Sequence, residues 1–337
     1  MSQRMLAIIA LVAFVVLVMG ALLTGGNLGM TESPARISFQ IATGTTEGVY
    51  FPVGQAVAGL ISHPLGVGRC DTATVCGPAG VVLSARTSLG GADNIRAVDS
   101  GQVDSGFADA DAIAAAAEGK SPFRRKATHL RAIAALFPEA AHLVVAANSD
   151  IQTVQDLRGK RVLLGQSGTS AVTRSRAILA AYRVRPREIQ SDELPATLLK
   201  NDKIDAYFAV AGVPLDSIRD LLAHHQARLV PIDGDGRNRL LANAPQLFPV
   251  VIPAGSYPGT PTVETIATRA WWFTREGEPD GLIYGLTRAL FNPANRPGLA
   301  ASHPSGRYIG LDNAAQNPPA PIHPGAARFY REVGKLR

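Results

Sequence analysis

Three times in 337 residues, an apolar stretch of strand length runs into a glycine-bearing polar loop and then into a helical pattern. That grammar constrains the fold more than any other feature. Residues 37–43 (ISFQIAT) alternate apolar and polar side chains, the period of a strand, then pass through Gly44-Thr45-Thr46-Glu47-Gly48 into an apolar-periodic segment ending at Ile61. Residues 80–85 (GVVLSA) lead through the turn Arg86-Thr87-Ser88-Leu89-Gly90-Gly91 into a helix carrying Asn94. Residues 161–164 lead through Gly165-Gln166-Ser167-Gly168-Thr169-Ser170 into an amphipathic helix over 171–182. Strands alternating with helices predict an α/β fold with helices packed on the faces of a sheet. Further strands are expected at 103–107, 130–136, 142–147, 204–210, 229–232 and 262–273, and a helix over 213–224 opened by Pro214. The elements form two βα-rich lobes, each a sheet sandwiched by helices. Residues 36–141 and 249–337 make the first and 142–248 the second, with hinge crossings near 138–142 and 248–256.

The N-terminus carries a different signal. Between Arg4 and Glu32 there is no charge, and Met5 to Leu23 is apolar apart from Gly20. A basic start followed by such a run predicts export, with residues 1–30 either a cleaved signal peptide or a retained membrane anchor. The body that follows is expected in the periplasm or another extracytoplasmic space. The first cysteine is Cys70, so a lipid-anchored cysteine directly after the signal is not expected. Cys70 and Cys76 are the only two, and in an oxidising compartment they are expected to close a small loop as a disulfide.

Composition narrows the function classes. Hydrophobic residues are 46% and charged residues 18%, which excludes a disordered chain. The net charge of +6 comes from scattered arginines. The densest patches, Arg124-Arg125-Lys126 and Arg183/Arg185/Arg187, lack interleaved aromatics, so no nucleic-acid partner is expected.

Catalytic motifs fail one by one. The 44–48 loop lacks the Gly-Lys-Ser/Thr ending of a phosphate loop, and Gly165-Gln166-Ser167-Gly168-Thr169 ends in Thr where a hydrolase elbow needs Gly. None of the seven histidines sits at metal-ligand spacing. No cofactor, no metal and no catalytic residue is expected. Polar loops entering helices instead offer N–H donors and a positive dipole end to an anion, or they cap their own helices.

The stretch from Ile41 to Gly54 (IATGTTEGVYFPVG) resembles the opening signature of the TAXI family, solute-binding subunits of TRAP transporters. Further collinear matches follow: Gly90 to Asn94 then Gly106 to Asp111; Gly165 to Thr169; Asp202 to Phe208 with Gly212-Val213-Pro214; and His323 to Tyr330. The resemblance implies a two-lobed periplasmic-binding-protein fold of the twice-crossing type. It also implies capture of a glutamate-, glutamine- or dicarboxylate-like solute and delivery to TRAP permease subunits in the membrane. Carried over by position, Thr43, Gly44, Thr45, Glu47, Gly48, Val49, Tyr50, Ser88, Asn94, Asp111, Ser167, Gly168, Thr169, Tyr207 and Gly212 would line the cleft. Arg86 and Asp109 depart from the family pattern; either they hold, as a pair, the carboxylate and the amino group of a small anionic or zwitterionic solute, or Arg86 faces solvent and Asp109 caps the Ala-rich helix that follows it. A membrane-tethered sensor built on the same fold is the alternative, touching the membrane through an uncleaved N-terminus.

Overall fold

One strand of 17 residues, β4 (Leu130–Ala146), runs through the whole sheet and divides it into two halves. The computed structural model describes residues 36–71, 74–165 and 170–337. Residues 37–337 cluster as one compact unit. The expected N-terminal leader or anchor lies outside the described residues. Among the described residues no helix is long and apolar enough to cross a membrane.

The other strands are β1 (Ile37–Ala42), β2 (Val81–Arg86), β3 (Ser105–Asp109), β5 (Arg161–Leu163), β6 (Arg187–Ile189), β7 (Ala206–Ala211), β8 (Ala227–Val230), β9 (Phe248–Ile252) and β10 (Val263–Arg275). They follow the order β2-β1-β3-β10-β4-β7-β5-β6, with β8 added to β4 and β9 to β10. The α-helices are α1 (Tyr50–Ile61), α2 (Gly91–Asp99), α3 (Ala110–Glu118), α4 (Ser170–Ala181), α5 (Pro195–Lys200), α6 (Asp216–Ala223), α7 (Gly234–Ala242), α8 (Asp280–Leu290), α9 (Arg296–Ser302) and α10 (Pro324–Glu332).

Each half is dry on both faces, as a sheet covered by helices requires. In the first half, Phe39 and Ile41 pack under Val53 and Val57 of α1 and Ile283 of α8, and the opposite face gathers Ile95, Ile113 and Trp271. In the second, Leu143 and Val145 meet Ile178 and Leu179 of α4, while Val144 and Tyr207 meet Leu221 and Tyr257. Burial on both sides explains why β4 reads as a nearly unbroken apolar run.

The sequence predicts two strands where β4 is one, because Pro138 and Glu139 look like a break. The strand survives them through irregular pairing: Arg269 of β10 sits opposite Pro138 and Trp271 opposite Ala135, a register shift that accommodates a residue with no N–H to give. The helix expected from 213 starts only at Asp216. The carbonyls of Val213 and Pro214 accept hydrogen bonds from Ser305 Oγ (3.2 Å) and His303 Nε2 (3.0 Å), which fixes that turn to the C-terminal segment.

Cys70 and Cys76 form the expected disulfide, with Cα atoms 5.3 Å apart and both residues buried. A crosslink over so short a loop restricts the unfolded chain modestly. The Cys70→Ser/Cys76→Ser protein is expected to lose about 2 kcal/mol of stability. At this chain length that is about 3 °C in a thermal scan. A loss above about 5 kcal/mol would mean that the loop is an integral part of the core.

Candidate functional site

Register brings the loop ends of both halves to one level. Asp109, last in β3, pairs with Ala270 of β10, which lies between residues paired to Pro138 and Ala135 of β4. Ala211, last in β7, pairs with Ala140 of the same strand. The parallel sets β1–β3 and β5–β7 therefore direct their C-terminal ends toward residues 135–140 of β4. In open α/β sheets this is where ligands sit.

A buried polar cluster occupies that level. Asp109 caps α3, its Oδ1 accepting from Ala112 N at 3.0 Å. Arg174, from α4 in the second half, reaches across to it with Nη2 at 3.4 Å and also forms an ion pair with Asp111. The side chains of Arg174 and Asp109 are 4% and 7% exposed, while that of Asp111 is 34% exposed. Beside them, Tyr50 Oη donates to Glu139 Oε2 at 2.8 Å. Tyr50 itself is wedged edge-on against Phe107 and Phe137.

The cluster is electrostatically tense. Burial raises the Glu139 carboxyl well above the usual carboxylate range, and the Asp109 charge adds to this against the opposing hydrogen bond from Tyr50. Burial likewise raises the Tyr50 phenol, reinforced by Glu139 and Asp109. Burial works against the charge on Arg174, and Asp109 restores part of it. Two carboxylates thus pair with one guanidinium, and a third carboxyl, Glu139, interacts with Asp109 and Tyr50.

The opening loop is built as a frame. Thr43, fully buried, donates Oγ1–H to Arg86 O at 2.6 Å, and its own carbonyl accepts from Asn94 Nδ2 at 2.6 Å and Ser88 Oγ at 3.2 Å. Asn94 also donates to Phe107 O at 2.7 Å, so it ties the end of β1 to β3. Gly54 permits this closeness: a Cβ there would lie 2.4 Å from Thr43 Cγ2. Gly44 and Val49 are buried, Gly48 is half-buried, and Thr45 and Glu47 are exposed.

Other expected site residues stand apart from the cluster. Arg86 is exposed on the edge strand β2 with Nη1 on Gln40 Oε1 at 2.7 Å. Tyr207 lies within the apolar packing of the second half. Gly212 is a point of contact between segments, where a Cβ would meet Ser305 Oγ at 2.5 Å and Val49 Cγ1 at 2.9 Å. Ser167, Gly168 and Thr169 lie outside the described residues.

Two central groups, Arg174 and Glu139, are missing from the sequence reading. Glu139 carried a signal, a lone carboxylate inside the 17-residue apolar run of β4, since such a group is buried only for a reason. Arg174 carried none; it is one arginine among many in the chain.

Two solved structures share this fold. MatC of Rhodopseudomonas palustris with bound malate superposes with a TM-score of 0.51 at 13% identity, over 88% of this chain and 97% of MatC. A periplasmic transporter matches with a TM-score of 0.51 at 11% identity, over 88% of this chain and 93% of its own. The α/β fold with helices on both faces of the sheet is what the strand–loop–helix pattern predicts, and its match to a periplasmic transporter agrees with the periplasmic-binding-protein fold that the resemblance implies. The sequence itself matches a family model over residues 41–334, nearly the whole of the described body, and the chain belongs to the NMT1-like family.

Proposed function

We propose that the chain is an extracytoplasmic solute-binding protein of a TRAP-type transporter, of the TAXI type. It captures a small carboxylate or amino acid between two lobes and delivers it to an ion-gradient-driven permease. The observation that carries this reading is the buried polar cluster linking the two halves at the level of residues 135–140 of β4. Charged groups are desolvated there by contact across the sheet, which is what a closing cleft does to a solute.

The lobes hinge at β4 and β10. The first crossing falls at residues 138–142. Ile252, Tyr257 and Val263 pack with second-lobe side chains, which supports a return crossing later than 248–256, within β10 near residues 267–270. The proposed lining is the 43–50 loop with Ser88, Asn94, Asp109, Asp111 and the 167–169 loop. The malate held by MatC supports a carboxylate as part of the solute.

Thermal unfolding of the full-length protein tests the reading, with a panel of dicarboxylates, amino acids, sulfonates and sugars. A solute at a hundred times its dissociation constant adds about 2.7 kcal/mol of stability. That corresponds to a shift of about 4 °C at this chain length. The solute is expected to be recovered chemically unchanged. No shift with any member of the panel, or conversion of the bound compound, would overturn the proposal.

A further inference from the structure

We propose that Arg174, with Asp109 and Asp111 opposite it, determines the specificity of the cleft and selects a zwitterionic solute, an α-amino acid in the simplest case, over a dicarboxylate. This rests on the solute-binding reading and narrows its ligand class.

The argument begins with charge. In the cluster, the carboxyl groups of Asp109, Asp111 and Glu139 outnumber the single guanidinium of Arg174. A dicarboxylate placed against Arg174 would bring two more negative charges into a buried site already rich in acid. It would also draw the guanidinium away from Asp109, leaving a buried carboxylate without its cation. An amino acid does neither. Its carboxylate takes the guanidinium donors, in the bidentate geometry arginine offers. Its ammonium takes the place of the guanidinium on the aspartates. The pairs between Arg174 and the aspartates are exchanged for a guanidinium–carboxylate pair and an ammonium–aspartate pair, and the net charge of the site is unchanged.

The two aspartates divide this work. Asp109 is held by its capping bond to Ala112 N and is almost fully buried, so it is a fixed anchor. Asp111 is a third exposed, so it has room to turn from Arg174 toward an arriving ammonium. In this arrangement the internal pair holds the two halves together in the ligand-free protein, and the solute replaces it group for group.

Isothermal titration of the full-length protein tests this. The probes are the twenty L-amino acids, succinate, L-malate, glutarate, cadaverine and glucose, and, for each amino acid that binds, the matching carboxylic acid without its amino group. At least one amino acid is expected to bind, and its desamino analogue about 100-fold more weakly or worse, because the analogue brings no ammonium to replace the guanidinium on the aspartates. In Asp111→Asn the amino acid is expected to weaken while the desamino acid gains, closing the ratio at least about tenfold. Arg174→Lys is expected to weaken the amino acid about tenfold through loss of the planar fork. A purely structural tie would weaken both compounds alike in Asp111→Asn, which overturns the inference. So does equal binding of amino and desamino acids, or binding of succinate, malate, glutarate, cadaverine or glucose with no amino acid bound; these results leave the solute-binding reading standing. Binding of no probe at all overturns both.

Discussion

Replacing Arg174 with methionine is expected to cost about 3–5 kcal/mol of unfolding free energy in urea at neutral pH. Methionine preserves much of the side-chain volume, so the loss isolates the charge rather than a cavity. With the guanidinium gone, Asp109 keeps its capping bond to Ala112 N, but the charges of Asp109 and Asp111 lose the cation that offsets them in a water-poor site. The Coulomb term is large there because little solvent screens it. Adding Asp109→Asn should return part of the loss, since asparagine caps a helix about as well as aspartate and carries no charge. The coupling between the two substitutions is expected at about 2 kcal/mol in a double-mutant cycle. A single-variant cost below about 1 kcal/mol would mean that the pair is solvated, and the cluster would lose its standing as the centre of the cleft.

The fold was legible in the sequence because it is written in periodicity. The alternation in β1 and the 3.6-residue spacing of Val53, Val57 and Ile61 on α1 are local patterns, and the structure keeps them. The grouping of Thr43, Ser88 and Asn94 was legible for a related reason: each lies at a loop or helix start that follows a strand, and the three do meet at the end of β1. The long strand was not, because local rules break it at Pro138. What holds β4 together is its pairing with β10, more than a hundred residues away. Arg174 was hidden for the same kind of reason. Its partners Asp109 and Asp111 lie some 65 residues earlier on the other half of the sheet, and no periodicity spans that gap. Arg86, at a family loop position, drew the carboxylate-binding role in the sequence, whereas in the structure it is exposed and bonded to Gln40. An edge strand exposes its last side chain to solvent, and loop position alone does not reveal that.

Acid is expected to weaken the protein through His142, by between about 2 and 3 kcal/mol on going from pH 7.5 to pH 4.5. His142 lies in β4, 1% exposed, with Tyr257 edge-on to its ring and the phenolic oxygen 2.8 Å from Nε2. Tyr257 Oη accepts from Leu215 N at 2.9 Å and shares a hydrogen bond with Nε2 of the neutral imidazole. Burial lowers its pKa from the ordinary 6.5 to about 4. The unfolded chain therefore binds a proton below pH 6.5 that the folded protein refuses until about pH 4. Stability is complete above 6.5 and drains away across that window. Burial also lowers His303 and His323, which pull the same way, whereas Glu139, raised by burial, pulls against them. The contribution of His142 is thus read as the difference in pH slope between the parent protein and His142→Phe. The variant should be less stable at pH 7.5, having lost the hydrogen bond to Tyr257, yet lose less on acidification. Equal slopes would mean that His142 titrates normally. Because Tyr257 joins His142 to Leu215, just beyond the Gly212–Pro214 turn that packs against Val49 and Ser305, protonation at this point weakens the anchoring of that turn.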